Sequence, residues 1–188
     1  LSALHLLGDG EAYQGRDLLG LAEILVRRLL QALAFEGDDA LVAAGRKTFF
    51  RINNSAGYEM AMVGMLGDVN AKSVSIIYST KDATSGLAKD VEKALAAKGV
   101  KVAMHSFDPA ITDFKPIINK VKLQDKSEVI AMVGYENDYV GILRAARVLK
   151  PSVKAMVGVW SLATPKMAAD FPDLMPNVYG TALLPFPA

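Results

Sequence analysis

The sequence predicts an α/β fold, a three-layer α/β/α sandwich with a mostly parallel sheet of about five strands. Three observations carry that prediction. From Lys72 to Pro187 one unit recurs: a short apolar stretch, a polar turn, then an amphipathic helix pattern. The apolar stretches SVSIIY, VIAMVG and AMVGVW are of strand length, well short of the roughly 18 residues that a membrane-spanning helix needs. Gly99, Pro109 and Pro151 punctuate the units where a helix or strand should stop. Strands that alternate with helices at this spacing imply right-handed crossovers and a doubly wound sheet.

Leu1 to Leu7 reads as a short strand, and GDGEAYQGRD as a glycine-rich turn before a helix from about Asp17 to Leu33. In that helix Leu18, Leu21, Leu25 and Leu29 recur at helical spacing. The segment AFEGDDALVAAGRK breaks the pattern, TFFRI is strand-like, and Asn53, Asn54 and Ser55 offer caps for a helix running through MAMVGMLGDV. Asn53-Asn54-Ser55 also matches a glycosylation sequon, although helix capping is the more economical role. The regular part then begins. Ser73 to Tyr78 make a strand, and Ser85 or Thr84 can cap a helix carrying Leu87, Val91 and Leu95 and stopped by Gly99. Lys101 to Phe107 is the second strand. Pro109 ends it, Asp113 can cap, and Ile117, Ile118 and Val121 form the buried stripe of the next helix. Val129 to Val133 is the third strand, followed by a helix that buries Val140, Leu143, Ala146 and Val148 or Leu149. Lys150, preceding Pro151, ends that helix. Val153 to Val159 is the fourth strand, NVYGTALL one more, and PFP an extended exit.

The chain has 188 residues, 52% of them apolar and 22% charged, with a formal net charge of +1. That length supports a substantial core. So small a net charge argues against a polyanion-binding surface, so nucleic acid is not an expected partner, and membrane insertion is not expected either. The absence of cysteine excludes disulfides, thiol catalysis and thiolate metal sites.

In a doubly wound sheet ligands collect outside the carboxyl ends of the strands. The loops expected there are STKDATSG, DPAITD, GYENDY and VWSLATP. The first holds Ser79, Thr80, Asp82 and Thr84 ahead of a helix N-terminus, whose free N–H groups can bind a carboxylate; simple N-capping is the competing role. Glu136 and Asp138 read as favourable charge at a helix start. Enzymatic signatures are lacking: GDGEAYQG has no third glycine in register for dinucleotide binding, and neither a phosphate loop nor a nucleophile elbow occurs. His5 and His105 have no partner spacing for a metal or a triad, and His105 reads as a packed or edge-strand residue. No catalytic residue, metal or cofactor is expected.

The segments TFFRINNSAGYEMA, GLAKDVEKALAAKGVKV, FDPAITDFKPIINKVK and VIAMVGYENDYVGILRAARVL follow one another in an order that resembles a known family. It is the leucine/isoleucine/valine-binding family of type I periplasmic solute-binding proteins of ABC transporters. The resemblance spans Arg46 to Ala188 and corresponds to the carboxyl-side lobe of such proteins. It implies one lobe of a type I periplasmic binding fold over residues 47–188. Residues 1–46 are then a remnant of, or substitute for, the amino-terminal lobe. GDGEAYQGRDLLGLAEILVRRL looks like that lobe's first loop and helix, but too few residues follow it for a complete first lobe. A fragment, a shortened homologue or an engineered chain would each account for this.

By resemblance the parent function is non-catalytic capture of a small solute for an ABC permease, in a periplasmic or other extracytoplasmic setting. The solute is expected to be a branched-chain or aromatic amino acid, or an aromatic carboxylate. Tyr135 matches the position whose aromatic side chain lines the cleft. Trp160 stands at or next to the position where amino-acid-binding members carry a glutamate for the ligand ammonium, and an indole cannot compensate that charge as a carboxylate does. Where many members place Tyr-Gly, this chain has Ala83-Thr84. The expected ligand-binding residues are thus Tyr135, Trp160, Ser79, Asp82 and Thr84. A loop tyrosine and a packing tryptophan are the alternative roles for the two aromatics. Two other functions stay open: a single-lobe flavodoxin-like domain without ligand-binding activity, and a ligand-sensing regulator on the same fold.

Overall fold

A computed structural model describes residues 55–181. The described residues belong to a single compact unit. The elements expected before Ser55 and after Thr181 lie outside the described residues.

Helix α1 (Ser55–Asp68) leads into strand β1 (Ser73–Ser79), helix α2 (Asp82–Ala97) and strand β2 (Lys101–Phe107). A short helix α3 (Lys115–Lys120) continues as a π turn, Val121–Asp125, into strand β3 (Val129–Val133) and helix α4 (Glu136–Leu149). Strand β4 (Ala155–Val159), a 3-10 turn (Trp160–Ala163), helix α5 (Pro165–Asp170), a second 3-10 turn (Pro172–Leu174) and strand β5 (Val178–Thr181) complete it. The five strands lie in the order β2-β1-β3-β4-β5, and all four pairings are parallel. This is the α/β sandwich read from the sequence.

Every residue of β3 and β4 is buried, as expected of strands covered on both faces. On one face α1 and α2 pack Met62, Leu66, Leu87, Val91 and Leu95 onto Val74, Ile76, Val129 and Val157. On the other face Phe114, Ile118, Tyr139, Ile142 and Leu143 cover Ile77, Ile130, Met132 and Met156.

Several local expectations need correction. Helix α2 starts at Asp82 with Lys81 at the N-cap position, so neither Thr84 nor Ser85 caps it. The hydroxyl of Thr84 lies 2.8 Å from both the Ser79 and the Lys81 carbonyl oxygens and braces the loop from inside the first turn. Asp113 accepts from the Lys115 N–H at 3.0 Å, one residue ahead of the N-cap position, which Phe114 occupies. In α4 the buried stripe includes Tyr139 and Ile142, while Val148 is 65% exposed. Lys150 ends α4 in the left-handed region at φ 48°, where the helix must stop before Pro151. Strand β4 begins at Ala155, two residues later than expected.

Polar side chains tie β1 and β2 to the π turn that precedes β3. The Ser75 hydroxyl lies 2.8 Å from both the Asp125 carboxylate and the Ser127 hydroxyl, and His105 Nε2 lies 2.5 Å from the same Asp125 oxygen. His105 is indeed on an edge strand, and it is largely buried. The carboxylate stands between serine and imidazole, so the hydroxyl has no contact with the ring that could deprotonate it, and the cluster works as a clamp between β1, β2 and the π turn. Glu128 adds a second tie, accepting from the Lys72 N–H at 3.3 Å and pairing with Lys154 at 2.7 Å. Lys154, and after it the Lys72 N–H, hold the Glu128 carboxyl below the usual carboxylate range.

Candidate functional site

The strand order reverses between β1 and β3, so the loops that leave their carboxyl ends diverge there and open the crevice in which such sheets bind ligands. Two aromatic side chains dominate this end. Tyr135 follows β3 and Trp160 follows β4, and their rings stack with centroids 5.9 Å apart and planes inclined at 17°. Tyr58 of α1 meets the indole edge-on at 5.6 Å and 73°. Lys81, from the loop after β1, holds its ammonium 4.7 Å from the centre of the Tyr135 ring. A cation, two stacked rings and a third ring set edge-on thus run across the carboxyl ends of β1, β3 and β4.

Each aromatic is held by its backbone. Tyr135 occupies the N-cap position of α4 in extended conformation, and its N–H donates to the Asp138 carboxylate at 2.9 Å. A Cβ on Gly134 would come within 2.9 Å of that same carboxylate oxygen, so this position has no room for a side chain. Trp160 has φ 54°, a left-handed conformation that costs a bulky L-residue about 1 to 2 kcal/mol. That turn presses on β5: a Cβ on Gly180 would lie 2.7 Å from the Ala163 nitrogen. The strain is offset by the rings that flank the indole and by Leu162, which is buried in the core below.

Beneath both loops lies Tyr139, a residue that sequence reading passed over. Its side chain is fully buried, and its hydroxyl accepts from the Gly134 N–H at 3.2 Å. Through that bond it holds the residue before Tyr135. Burial pushes its pKa well above the ordinary tyrosine value and keeps it protonated. A tyrosine four residues after Tyr135, on the apolar side of α4, was the available clue.

The remaining expected residues divide by exposure. Asp82 is exposed in the first turn of α2, where its charge suits the helix N-terminus. Ser79 and Thr84 are fully buried, Thr84 bonded to the loop carbonyls and the Ser79 hydroxyl without a hydrogen-bond partner among the described residues. Alternation along β1 puts Ser79 on the sheet face of Ser75 and Ile77, opposite the face that α2 covers. The structure therefore brings Tyr135, Trp160 and Lys81 together, with Asp82 adjacent in sequence, while Ser79 and Thr84 sit below the surface. Glu136 lies 3.7 Å from Lys166, and Asp138 is engaged by the Tyr135 N–H. Among the described residues no cluster of three metal-ligating side chains forms, and no helix is long and apolar enough to cross a membrane.

A large open groove, about 550 Å³, lies at the other end of the sheet. Leu143, Pro151, Val153, Met156, Leu174 and Val178 line it, with Arg147 and Asp173 paired at 3.1 Å on its rim.

Solved structures share this architecture at low identity. The chain is similar to a leucine-binding protein from Thermotoga maritima, with 19% identity and a TM-score of 0.65, over 74% of this chain and 40% of that one. It is similar to a fatty acid ABC transporter substrate-binding protein from Thermomonospora curvata, with 16% identity and a TM-score of 0.57, over 67% and 33% of the two chains. It is also similar to an ABC transporter solute-binding protein from R. palustris solved with 4-hydroxybenzoate, with 20% identity and a TM-score of 0.54, over 62% and 32%. The chain thus spans two fifths or less of each of these proteins. A search of curated protein sequences yields no match. The family pattern described as periplasmic binding protein matches residues 28–187, most of the sequence and all of the sheet described above, and the chain belongs to that family.

Proposed function

We propose that this chain supplies the carboxyl-side wall of an extracytoplasmic solute receptor that delivers a small apolar or aromatic molecule to an ABC permease, without catalysis. The observation that carries the reading is the stacked Tyr135–Trp160 pair at the carboxyl ends of β3 and β4, with Tyr135 43% exposed. Membership of the periplasmic binding protein family supports the solute-capturing role. The relatives bind ligands as different as leucine, by name, and 4-hydroxybenzoate, in a crystal, so they do not choose the solute. The side chains favour a flat or branched apolar body: two rings offer an extended apolar surface, and a strained backbone holds one of them. Tyr135 and Trp160 touch the solute in this reading, Asp82 borders it, and Thr84 and Ser79 shape the loop beneath.

The lobe spanning residues 47–188 works in this reading by closing against a second lobe, which would complete the burial of the solute. One wall by itself leaves most of the solute in water, so the isolated chain should bind with a Kd on the order of 1 mM or weaker. The test is an NMR titration that follows the indole N–H of Trp160, the one tryptophan of the chain, with leucine, phenylalanine and 4-hydroxybenzoate. A saturable shift confined to Trp160, Tyr135 and their neighbours is expected for at least one compound. Shifts confined to the groove beside Val153 and Val178, or none with any compound, would overturn the proposal and favour a lobe without ligand-binding activity.

A further inference from the structure

We infer that Lys81 selects the charge of the solute, so that the site takes a planar aromatic carboxylate and turns away an aromatic ammonium. The inference rests on the reading proposed above and adds to it a specificity-determining residue. Lys81 reaches from the loop after β1 onto Tyr135 in the loop after β3, bridging the point where the strand order reverses. It is exposed, and among the described residues no carboxylate pairs with its ammonium.

The acids of the opposite loop are already engaged. Asp138 accepts from the Tyr135 N–H, and Glu136 faces Lys166. Asp82 stands at the α2 N-terminus, where the helix dipole favours its charge. A solute ammonium stacked on the Tyr135–Trp160 pair would meet a like charge at Lys81 and compete with it for the same ring. A solute carboxylate would gain an ion pair there, with its ring lying on the aromatic surface. The indole at position 160 offers such a solute a wall without a countercharge.

Three probes of one planar shape isolate the charge: benzoate, benzamide and benzamidinium, titrated into the full chain with the Trp160 indole N–H as readout, and benzylammonium adds the ammonium case. Benzoate should bind about fivefold more tightly than benzamide, the factor that about 1 kcal/mol of exposed ion pairing gives, and both cations more weakly than either. Lys81→Met should bring benzoate and benzamide to the same affinity, while Lys81→Arg keeps the preference. Lys81 is exposed, so both variants should keep the dispersed spectrum of the folded chain. Equal affinities for benzoate and benzamide in the parent chain, or an undiminished preference in Lys81→Met, would overturn the role of Lys81 and leave the solute-receptor reading standing. Failure of every probe and of leucine, phenylalanine and 4-hydroxybenzoate to move the indole signal would overturn both.

Discussion

The two ends of the sheet are built to different rules. Toward the amino end, polar groups have partners: Ser75, Ser127 and Asp125 form one cluster that reaches His105 in the carboxyl half of β2, and the exposed Glu128 joins Lys72 to Lys154. At the carboxyl end, three buried hydroxyl oxygens, those of Ser79, Ser161 and Thr181, have no hydrogen-bond partner among the described residues, and Trp160 sits in a left-handed conformation. An unsatisfied buried hydroxyl costs about 1 to 3 kcal/mol, and the strained tryptophan adds to that cost. One end stabilises the lobe, and the other carries strained features that a purely structural end has no reason to keep.

The largest effect should come from breaking the amino end. Asp125→Ala removes the acceptor shared by Ser75 and His105 and leaves both ends of the clamp buried, which should lower stability by about 3 kcal/mol. Urea unfolding should show the loss as a lower midpoint with unchanged slope, while the Trp160 indole resonance of the folded state stays in place. A displaced indole resonance would mean that the two ends are coupled.

Tyr139→Phe sharpens the comparison from the carboxyl end. Deleting one hydroxyl should cost about 1 to 2 kcal/mol, less than the clamp, yet it frees the residue before Tyr135, whose ring stacks on Trp160. The indole resonance should shift or broaden, and any solute affinity should fall; an unmoved resonance would reduce Tyr139 to a packing residue.

The smallest difference is the most specific. Trp160→Gly and Trp160→Ala both remove the stacked ring, but only glycine relaxes the left-handed backbone, so Trp160→Gly should be the more stable by about 1 kcal/mol. Equal midpoints in urea would show that the turn relaxes once the indole is gone, and that the indole itself imposes the strain.

The sheet was legible because strands buried on both faces are written as continuous apolar runs, VIAMV and AMVGV, which no helix of this length could use. Helix ends were read less accurately, since Thr84 and Asp113 bond to groups that only the folded loop presents. Tyr135 and Trp160 were reached through the family resemblance, each at a cleft position that follows a strand. Lys81 and Tyr139 were not, because a lysine beside a turn and a tyrosine inside a helix look the same whether or not they meet anything.

The sequence by itself determined the succession of strands and helices along the chain and the parallel sheet they form. Those properties follow from periodicity and chain connectivity, which are local or nearly so. Only the tertiary structure decided that Lys81 meets Tyr135, that Tyr135 stacks on Trp160, and that Tyr139 holds the Gly134 N–H below them. Lys81, Tyr135 and Trp160 come from separate loops, and the distances among them are set by how β1, β3 and β4 lie side by side in the sheet, which sequence spacing does not encode.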